Sequence, residues 1–292
     1  MNSSSVQSFT RPEDISPPRY KIRIGRVMVY AALIILALLM LLPFAWMVSA
    51  SLKLDKDVFR FPIEWIPAVP QWSNYSTIWT RIPFLTFFMN TFKLTVIITL
   101  LQLVTSSFAA YAFAKLKFPG RDWLFLAYIG SIAIPWQVYM VPQFIMMRRF
   151  GLVDTHWSLI LLQAFSAFGV FLLRQFFVSI PDEILDAARI DGMSEYGIFY
   201  RIMLPLSKPA LATLTIFTSV AVWNDFMGPL IYLNSMKLKT IQLGLRMFIQ
   251  QYSADYALIM AAALVSLIPV VILFLLLQRF FVEGIASTGV KG

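Results

Sequence analysis

The sequence contains no cysteine, and its only histidine is His156. Without cysteine the chain can form neither a disulfide nor a thiolate metal site. A single imidazole likewise excludes a metal site built from several histidines. No G-x-x-x-x-G-K-[ST] segment occurs either, so the chain lacks the phosphate-cradling loop that binds ATP in many nucleotide hydrolases. Thiol chemistry, such metal sites and this form of nucleotide binding are therefore excluded for the chain itself.

Charged residues are also scarce. They make up 13% of the 292 residues, whereas 59% are hydrophobic and the mean hydropathy is +0.73. These values lie outside the range of soluble globular domains and indicate an integral membrane protein. The net charge of +9 is expected from basic residues that flank membrane spans and contact anionic lipid headgroups. We therefore expect a lipid membrane, and not nucleic acid, beside this basic surface.

Six apolar runs are each long enough to cross the ~30 Å hydrocarbon core of a bilayer as a helix. Lys and Arg are more frequent in the termini and the loops on their side than in the opposite loops, which places both termini in the cytoplasm. The predicted fold is all-α integral membrane, with a cytoplasmic tail (1–26), a six-helix domain (27–281) and a second cytoplasmic tail (282–292). The predicted spans are 27–50, 87–114, 123–147 (broken at Pro135 and Pro142), 157–178, 209–233 and 257–281.

The longest charged interruption between these runs covers residues 179–208. Its pattern predicts two short helices joined by a glycine turn. Ser179 and Asp182 have the S-x-x-D spacing of a capping box for the first helix. Gly192 tolerates positive φ at the end of that helix, and Ser194 is placed to cap the second one. A helix pair held between hydrophobic spans is suited to dock a cytosolic partner.

The sequence predicts an apolar face for the first of these helices and the end point of the second. In the first, the apolar residues share one side while the charged residues face outward. We expect two prolines to end the second helix, because proline lacks the N–H that continues the hydrogen-bond pattern. The shared apolar residues are Ile184, Leu185, Ala187 and Ala188, and the two prolines are Pro205 and Pro209.

A motif runs through the same stretch. Asp186-Ala187-Ala188 is followed after three residues by Gly192, and after nine more by Ile202-x-Leu204-Pro205. This resembles the EAA loop of bacterial ABC-importer permeases, E-A-A-x3-G-x9-I-x-L-P, with every spacing kept. Asp186 stands where that pattern has Glu, which keeps the charge on a side chain one methylene shorter. The resemblance implies that coupling helices here sit in a cleft on an ATPase subunit. The residues implied in this coupling are Glu183, Asp186, Ala187, Ala188, Gly192, Ile202, Leu204 and Pro205.

Two segments nearer the C-terminus narrow the resemblance. One is Trp223-Asn224-Asp225-Phe226-Met227-Gly228-Pro229-Leu230, and the other begins at Gln278-Arg279 and ends in Gly289-Val290-Lys291-Gly292. They resemble the carbohydrate-uptake branch, specifically its smaller permease subunit, as in the maltose importer. The ending departs from that branch's G-A-V-K-G, because the alanine is absent.

The resemblance implies a multi-pass protein of the bacterial plasma (inner) membrane that is not itself an enzyme. Its implied partners are an unlike second permease, a dimer of ATPase subunits, an extracytoplasmic solute-binding protein and a saccharide. ATP and Mg²⁺ would be bound by the ATPase, and no cofactor by this chain. The tail residues Gly289, Val290, Lys291 and Gly292 would reach between the ATPases. The branch handles neutral oligosaccharides and acidic glycans, and the sequence leaves both open.

Three polar residues in or near the spans are candidates for the translocation path. Asp225 and Asn224 fall in the outer part of the fifth predicted span, and Gln137 falls in the third. Asp225 has two readings, a helix-end carboxylate bonded to a neighbour or a polar lining of the path. An ion-coupled secondary transporter of small polar solutes is the alternative function, although it favours carboxylates near mid-membrane. A membrane enzyme is a second alternative, for which the sequence offers no clustered acid and base.

Overall fold

The computed structural model describes residues 24–249 and 255–288. Every regular element in these two ranges is helical, which confirms the predicted all-α class. Apolar sequences of this length favour helices because a backbone in lipid must satisfy its own hydrogen bonds. The predicted ATPase contacts of the C-terminal residues, 289–292, lie outside the described residues.

Seven α-helices lie in the described chain up to Ser179. The first of them is apolar on every side, and its residues up to Trp46 form a compact unit of their own. These helices are α1 (Ile24–Ser51), α2 (Ser73–Arg81), α3 (Phe84–Lys115), α4 (Arg121–Gly130), α5 (Trp136–Arg149), α6 (His156–Gln163) and α7 (Ala167–Ser179).

The part of the described chain that follows Ser179 begins with short helices. A π-helical turn, Phe199–Met203, connects two of them, and such turns often mark functional sites. The helices are α8 (Asp182–Ile190), α9 (Glu195–Ile198), α10 (Leu204–Leu206), α11 (Lys208–Trp223), α12 (Met227–Tyr232), α13 (Ile241–Met247) and α14 (Tyr256–Thr288).

Four segments of the described chain are long and apolar enough to cross a membrane unaided. Two further pairs of helices pass the same test only together, because each is bent at a break. The number of crossings is therefore four, or up to six if each bent pair counts as one. The four segments are Gly25–Ser51, Phe84–Lys115, His156–Ser179 and Tyr256–Phe280, and the pairs are Arg121–Ala133 with Trp136–Arg149 (98°) and Glu195–Leu206 with Lys208–Trp223 (76°).

The breaks differ from the predicted ones. The third predicted span bends at Pro135, whereas Pro142 lies inside α5 without interrupting it. The fourth is interrupted between Gln163 and Ala167, which sequence analysis missed. The prediction that the fifth span reaches residue 233 is wrong, because α11 ends at Trp223. A hydropathy average over a whole span does not register these ends, because the sequence on both sides of each break is predominantly apolar.

Helix α3 forms the centre of the unit that begins at residue 47. It packs against α7 on one side and α11 on another, and α11 in turn packs against α14. Three buried apolar clusters hold this arrangement together. One joins α3 and α7 to the segment 180–203, a second joins α3, α5, α6 and α12, and the third joins α2, α13 and α14 to the start of α3.

Candidate functional site

The segment between α7 and α11 forms the predicted helix–turn–helix. Gly192 has φ of +80°, so its left-handed conformation confirms the predicted turn. The amide of Gly192 donates to the Arg189 carbonyl at 3.0 Å and that of Met193 donates to the Ala188 carbonyl at 2.9 Å. This pair of bonds is a Schellman motif, which satisfies the last carbonyls of α8. The Ser194 hydroxyl accepts from the amide of Gly197 and caps α9, as predicted.

The predicted capping box at Ser179 is wrong. Ser179 is the last residue of α7, and its hydroxyl donates to the Phe176 carbonyl at 2.7 Å. Asp182 instead lies 2.5 Å from Lys115 Nζ at the end of α3, and this bond holds the pKa of the Asp182 carboxyl below its usual range. Lys115 also donates to the Ile180 carbonyl at 2.7 Å. The carboxylate therefore ties the loop to α3.

One face of this helix pair is anchored in the protein. Leu185, Ala188 and Ile198 are buried in the cluster with α3 and α7, so Ile184 and Ala187 do not share that face as predicted. At the predicted coupling positions, Ile202 and Leu204 are partly buried against the same cluster, whereas Glu183, Ala187 and Pro205 are exposed. The chain bends at Ser207, after Pro205 and before Pro209.

The opposite face presents large apolar side chains to solvent. Ile190 is 87% exposed, and Ile184, Tyr196 and Tyr200 are also exposed. Soluble surfaces rarely display such side chains together, and a contiguous apolar patch marks an interaction site. These exposed apolar side chains and the charged pair of Asp186 and Arg189 therefore lie on the helices that flank the turn at Gly192.

A charge network holds the turn in shape. Arg189 donates to Asp186 Oδ1 at 2.7 Å and to Glu195 Oε1 at 2.8 Å. Tyr111 of α3 donates to Glu195 Oε2 at 2.5 Å. The bonds from Arg189 and then from Tyr111 lower the pKa of the Glu195 carboxyl, so the carboxylate is retained at neutral pH. The network joins both helices of the pair to the end of α3.

A second site lies within the helical bundle. It is a cavity of about 380 Å³, and three interrupted helices meet there: at the bend before α5, between α6 and α7, and between α11 and α12. Discontinuous helices of this kind form the binding sites of many transporters. The carbonyls freed by the second interruption are satisfied from α3, since Gln102 donates to the Gln163 carbonyl at 2.7 Å and Thr105 to the Ala164 carbonyl at 2.8 Å.

Asp225 lies in the third interruption and lines the cavity. Its Oδ1 accepts from the Gly228 amide at 3.0 Å, and its Oδ2 accepts from Gln163 Nε2 at 2.9 Å. A Cβ at position 228 would lie 2.5 Å from Oδ2, so glycine is needed for this approach. The first reading of Asp225 is therefore confirmed, because the carboxylate is bonded to its neighbours at the start of α12. The carboxylate also faces the cavity, and its place on the translocation path stays a prediction.

The other two path candidates lie elsewhere. Asn224 is exposed and accepts from Gln242, and Gln137 is exposed on α5; neither lines the cavity. Sequence analysis missed Trp136, Tyr139 and Gln143, which do line it. Their i, i+3, i+7 spacing places them on one face of α5, and this polar and aromatic stripe was the available signal.

Residues 22–287 match the family model of the binding-protein-dependent transport system inner membrane component. The chain belongs to this family. This family consists of permeases that work with a binding protein, which contradicts the ion-coupled alternative and gives no support to the membrane enzyme.

Curated relatives match nearly the whole permease. The probable ABC transporter permease protein YurM of Bacillus subtilis (strain 168) is 34% identical over 281 residues, covering 94% of this chain and 92% of that protein. The arabinooligosaccharides transport system permease protein AraQ of Halalkalibacterium halodurans is 35% identical over 260 residues (88% and 93%). The sn-glycerol-3-phosphate transport system permease protein UgpE of Yersinia pestis is 36% identical over 265 residues (88% and 94%).

A solved structure supports the same fold for this permease. The crystal structure of a bacterial ABC transporter involved in the import of the acidic polysaccharide alginate contains a chain with a TM-score of 0.79 and 26% identity. The match covers 91% of the permease and 100% of that chain.

Proposed function

We propose that this permease forms half of the translocation path of an ATP-driven saccharide importer. Its helices then cross the membrane six times, with each bent pair counted once and both termini in the cytoplasm. An unlike permease supplies the other half of the path, and an extracytoplasmic solute-binding protein delivers the saccharide. The similarity to permeases of an arabinooligosaccharide system and of an alginate importer supports an oligosaccharide substrate, either neutral or acidic.

In this proposal the helix–turn–helix around Gly192 is the coupling element. The observation that carries it is the contrast between the two faces of the pair, one buried against α3 and α7 and one exposing Ile190 and Tyr196. The exposed apolar face suits a cleft on an ATPase subunit, and the buried face passes its displacement to the membrane helices. Coupling of this kind moves a rigid body between two states of access. Glu183, Asp186, Ala187, Gly192 and Pro205 are the proposed contacts with the ATPase. Ala188, Ile202 and Leu204 lie against the buried cluster and are proposed to pass the displacement on to α3 and α7.

ATP and Mg²⁺ belong to that ATPase in this scheme, since the permease sequence has no phosphate-binding loop. The purified permease alone should therefore hydrolyse no ATP. The path itself passes Asp225, with Asn224 and Gln137 as further candidates on its approaches. The C-terminal residues Gly289, Val290, Lys291 and Gly292 complete the ATPase contact.

The test compares two isoleucines of equal exposure. Ile190 on α8 is 87% exposed and Ile66, in the loop between α1 and α2, is 86% exposed. Ile190→Glu should weaken ATPase association about tenfold or more, because burying an isoleucine contributes about 1.5–3 kcal/mol. Ile66→Glu should leave it unchanged. The measurements are co-purification of the ATPase with the permease pair and ATP-dependent uptake of arabinooligosaccharides, sn-glycerol 3-phosphate and alginate oligosaccharides. Normal ATPase retention by Ile190→Glu would reject the coupling role.

A further inference from the structure

The cavity beside Asp225 contains a buried polar group without a protein partner. Tyr232 lines this cavity and is 1% exposed, and its hydroxyl makes no hydrogen bond to any residue that the structure describes. Buried hydroxyls are nearly always hydrogen-bonded, so such a group needs an explanation. A ligand in the cavity that accepts or donates a hydrogen bond would supply one.

Neighbouring side chains leave further hydrogen-bonding capacity open. Gln143 accepts from Trp136 Nε1 at 3.0 Å through Oε1, which leaves its amide NH₂ available. Gln163 donates to Asp225 through Nε2, which leaves its own Oε1 as an acceptor. The Asp225 carboxylate has lone pairs beyond the two it uses. Both donors and acceptors therefore line one cavity of about 380 Å³, within the roughly 300–1,000 Å³ of ligand pockets.

The charge of the cavity restricts what it can hold. Asp225 carries the only carboxylic acid among the lining residues, and none of them is Lys, Arg or His. Asp225 also makes no ion pair within the described ranges. An anionic group would meet an uncompensated carboxylate, and a divalent cation would lack a second carboxylate. The aromatic rings of Trp136 and Tyr139 offer flat apolar surface to the C–H face of a ring.

We propose that this cavity is a saccharide subsite on this subunit, and that it binds an uncharged, hydroxyl-bearing sugar ring. Hydroxyls of the ring bond to Asp225, Gln163, Gln143 and Tyr232, while Trp136 packs against its apolar face. The subsite rests on the proposed saccharide import and decides the class of substrate that is carried: neutral sugars are favoured over uronates and sugar phosphates. The apolar cavity of about 240 Å³ between α3, α11 and α14 has no charged lining residue and carries no comparable inference.

The test uses the complete importer, with both permeases, the ATPase and the binding protein, in proteoliposomes. Initial rates of ATP-driven uptake are measured for arabinotriose, maltotriose, raffinose, an alginate trisaccharide and sn-glycerol 3-phosphate. We expect a neutral saccharide to be the best substrate. Direct binding of that saccharide is then titrated on the permease–ATPase complex without the binding protein, so that affinity reports on the permeases alone.

Three variants distinguish binding from a structural role. Tyr232→Phe and Gln143→Leu should each weaken saccharide binding about 3- to 10-fold, the loss expected for one hydrogen bond. Tyr232→Phe should not lower the melting temperature of the complex, because the hydroxyl has no protein partner to lose. Asp225→Asn keeps the size of the side chain but removes its charge, and should raise alginate uptake relative to neutral uptake several-fold. Gln175→Leu, at an exposed glutamine of α7 outside the cavity, is the matched control and should behave as wild type.

The outcomes separate this proposal from the one it rests on. Loss of the expected import, seen as no ATP-driven uptake of any saccharide, overturns the proposed function and the subsite together. Import that prefers acidic saccharides in the wild type overturns only the subsite. Neutral import in which Tyr232→Phe and Gln143→Leu bind the saccharide as tightly as Gln175→Leu does overturns the subsite equally.

Discussion

Substitutions at Gly192 give the most direct test of the proposed coupling role. Its φ of +80° belongs to a region that residues with a Cβ disfavour, and an added Cβ would meet no atom within 4 Å. Gly192→Ala therefore introduces backbone strain and no clash. That strain is about 1–2 kcal/mol, which lowers the population of the native turn about 5- to 30-fold relative to alternatives.

A graded series separates strain from bulk. Gly192→Asn should be the mildest change, because asparagine tolerates the left-handed conformation better than other residues. Gly192→Ala should reduce ATPase association and uptake through strain alone. Gly192→Leu adds a large side chain to the docking face, and should leave the protein in the membrane while abolishing both. The buried face of the pair does not include Gly192, so membrane insertion should survive in all three.

The control is a glycine with the same conformation in another loop. Gly151 has φ of +67° between α5 and α6, and a Cβ there would also meet no atom within 4 Å. Gly151→Leu should retain the ATPase, although its strain is similar. The assay is the amount of ATPase that co-purifies with membrane-inserted permease, alongside saccharide uptake. Full ATPase retention and normal uptake in Gly192→Leu would refute the reasoning, since the turn would then play no part in coupling.

Two further predictions concern carboxylates in loops. Asp186→Lys reverses the charge beside Arg189 and should weaken ATPase co-purification, whereas Asp57→Lys, which alters a similar i, i+3 pair outside the coupling loop, should not; equal effects would contradict a docking role. Asp154 accepts from the amides of Asn234 and Ser235 at 2.9 and 2.8 Å, and the bonds from Ser235 lower the pKa of its carboxyl. The protection of the amides at 234–235, measured against the intrinsic exchange rate at each pH, should be high at neutral pH and fall only as pH drops through that lowered pKa, because the stabilising form is the charged one. Asp154→Asn, which tolerates the φ of 61° there, should quicken exchange at pH 7; unchanged exchange would contradict the role of this carboxylate.

The turn around Gly192 was predictable because its determinants are local. Positive φ at a helix end and a serine cap two residues later are both set by a few adjacent residues. The capping box failed for the opposite reason. Asp182 had the required spacing, but its carboxylate is bound by Lys115, which lies 67 residues away along the chain.

The cavity was only partly predictable, because it depends on where helices stop. The sequence singled out Asp225 as a polar residue in an apolar run, but Asn224 and Gln137 had equal claims on composition alone. The interruption after Gln163 depends on Gln102 and Thr105, which donate hydrogen bonds from another helix to its free carbonyls. Hydropathy cannot register such a contact. The glutamines that line the cavity, Gln102, Gln143 and Gln163, were therefore indistinguishable by hydropathy from glutamines elsewhere in the spans.

The interrupted helices also bear on the order in which the chain enters the membrane during synthesis. Helices α4 and α5 contain 10 and 14 residues, and at 1.5 Å per residue they reach about 15 and 21 Å, short of the ~30 Å hydrocarbon core. Neither helix is stable alone in lipid, because the backbone groups exposed at their bend have no hydrogen-bond partner there. By contrast, α1 and α3 are long enough to be released from the translocon one at a time. Helices α4 and α5 must therefore be held beside the insertion machinery until the later helices have been made, and the cavity that α5 lines is among the last features to form.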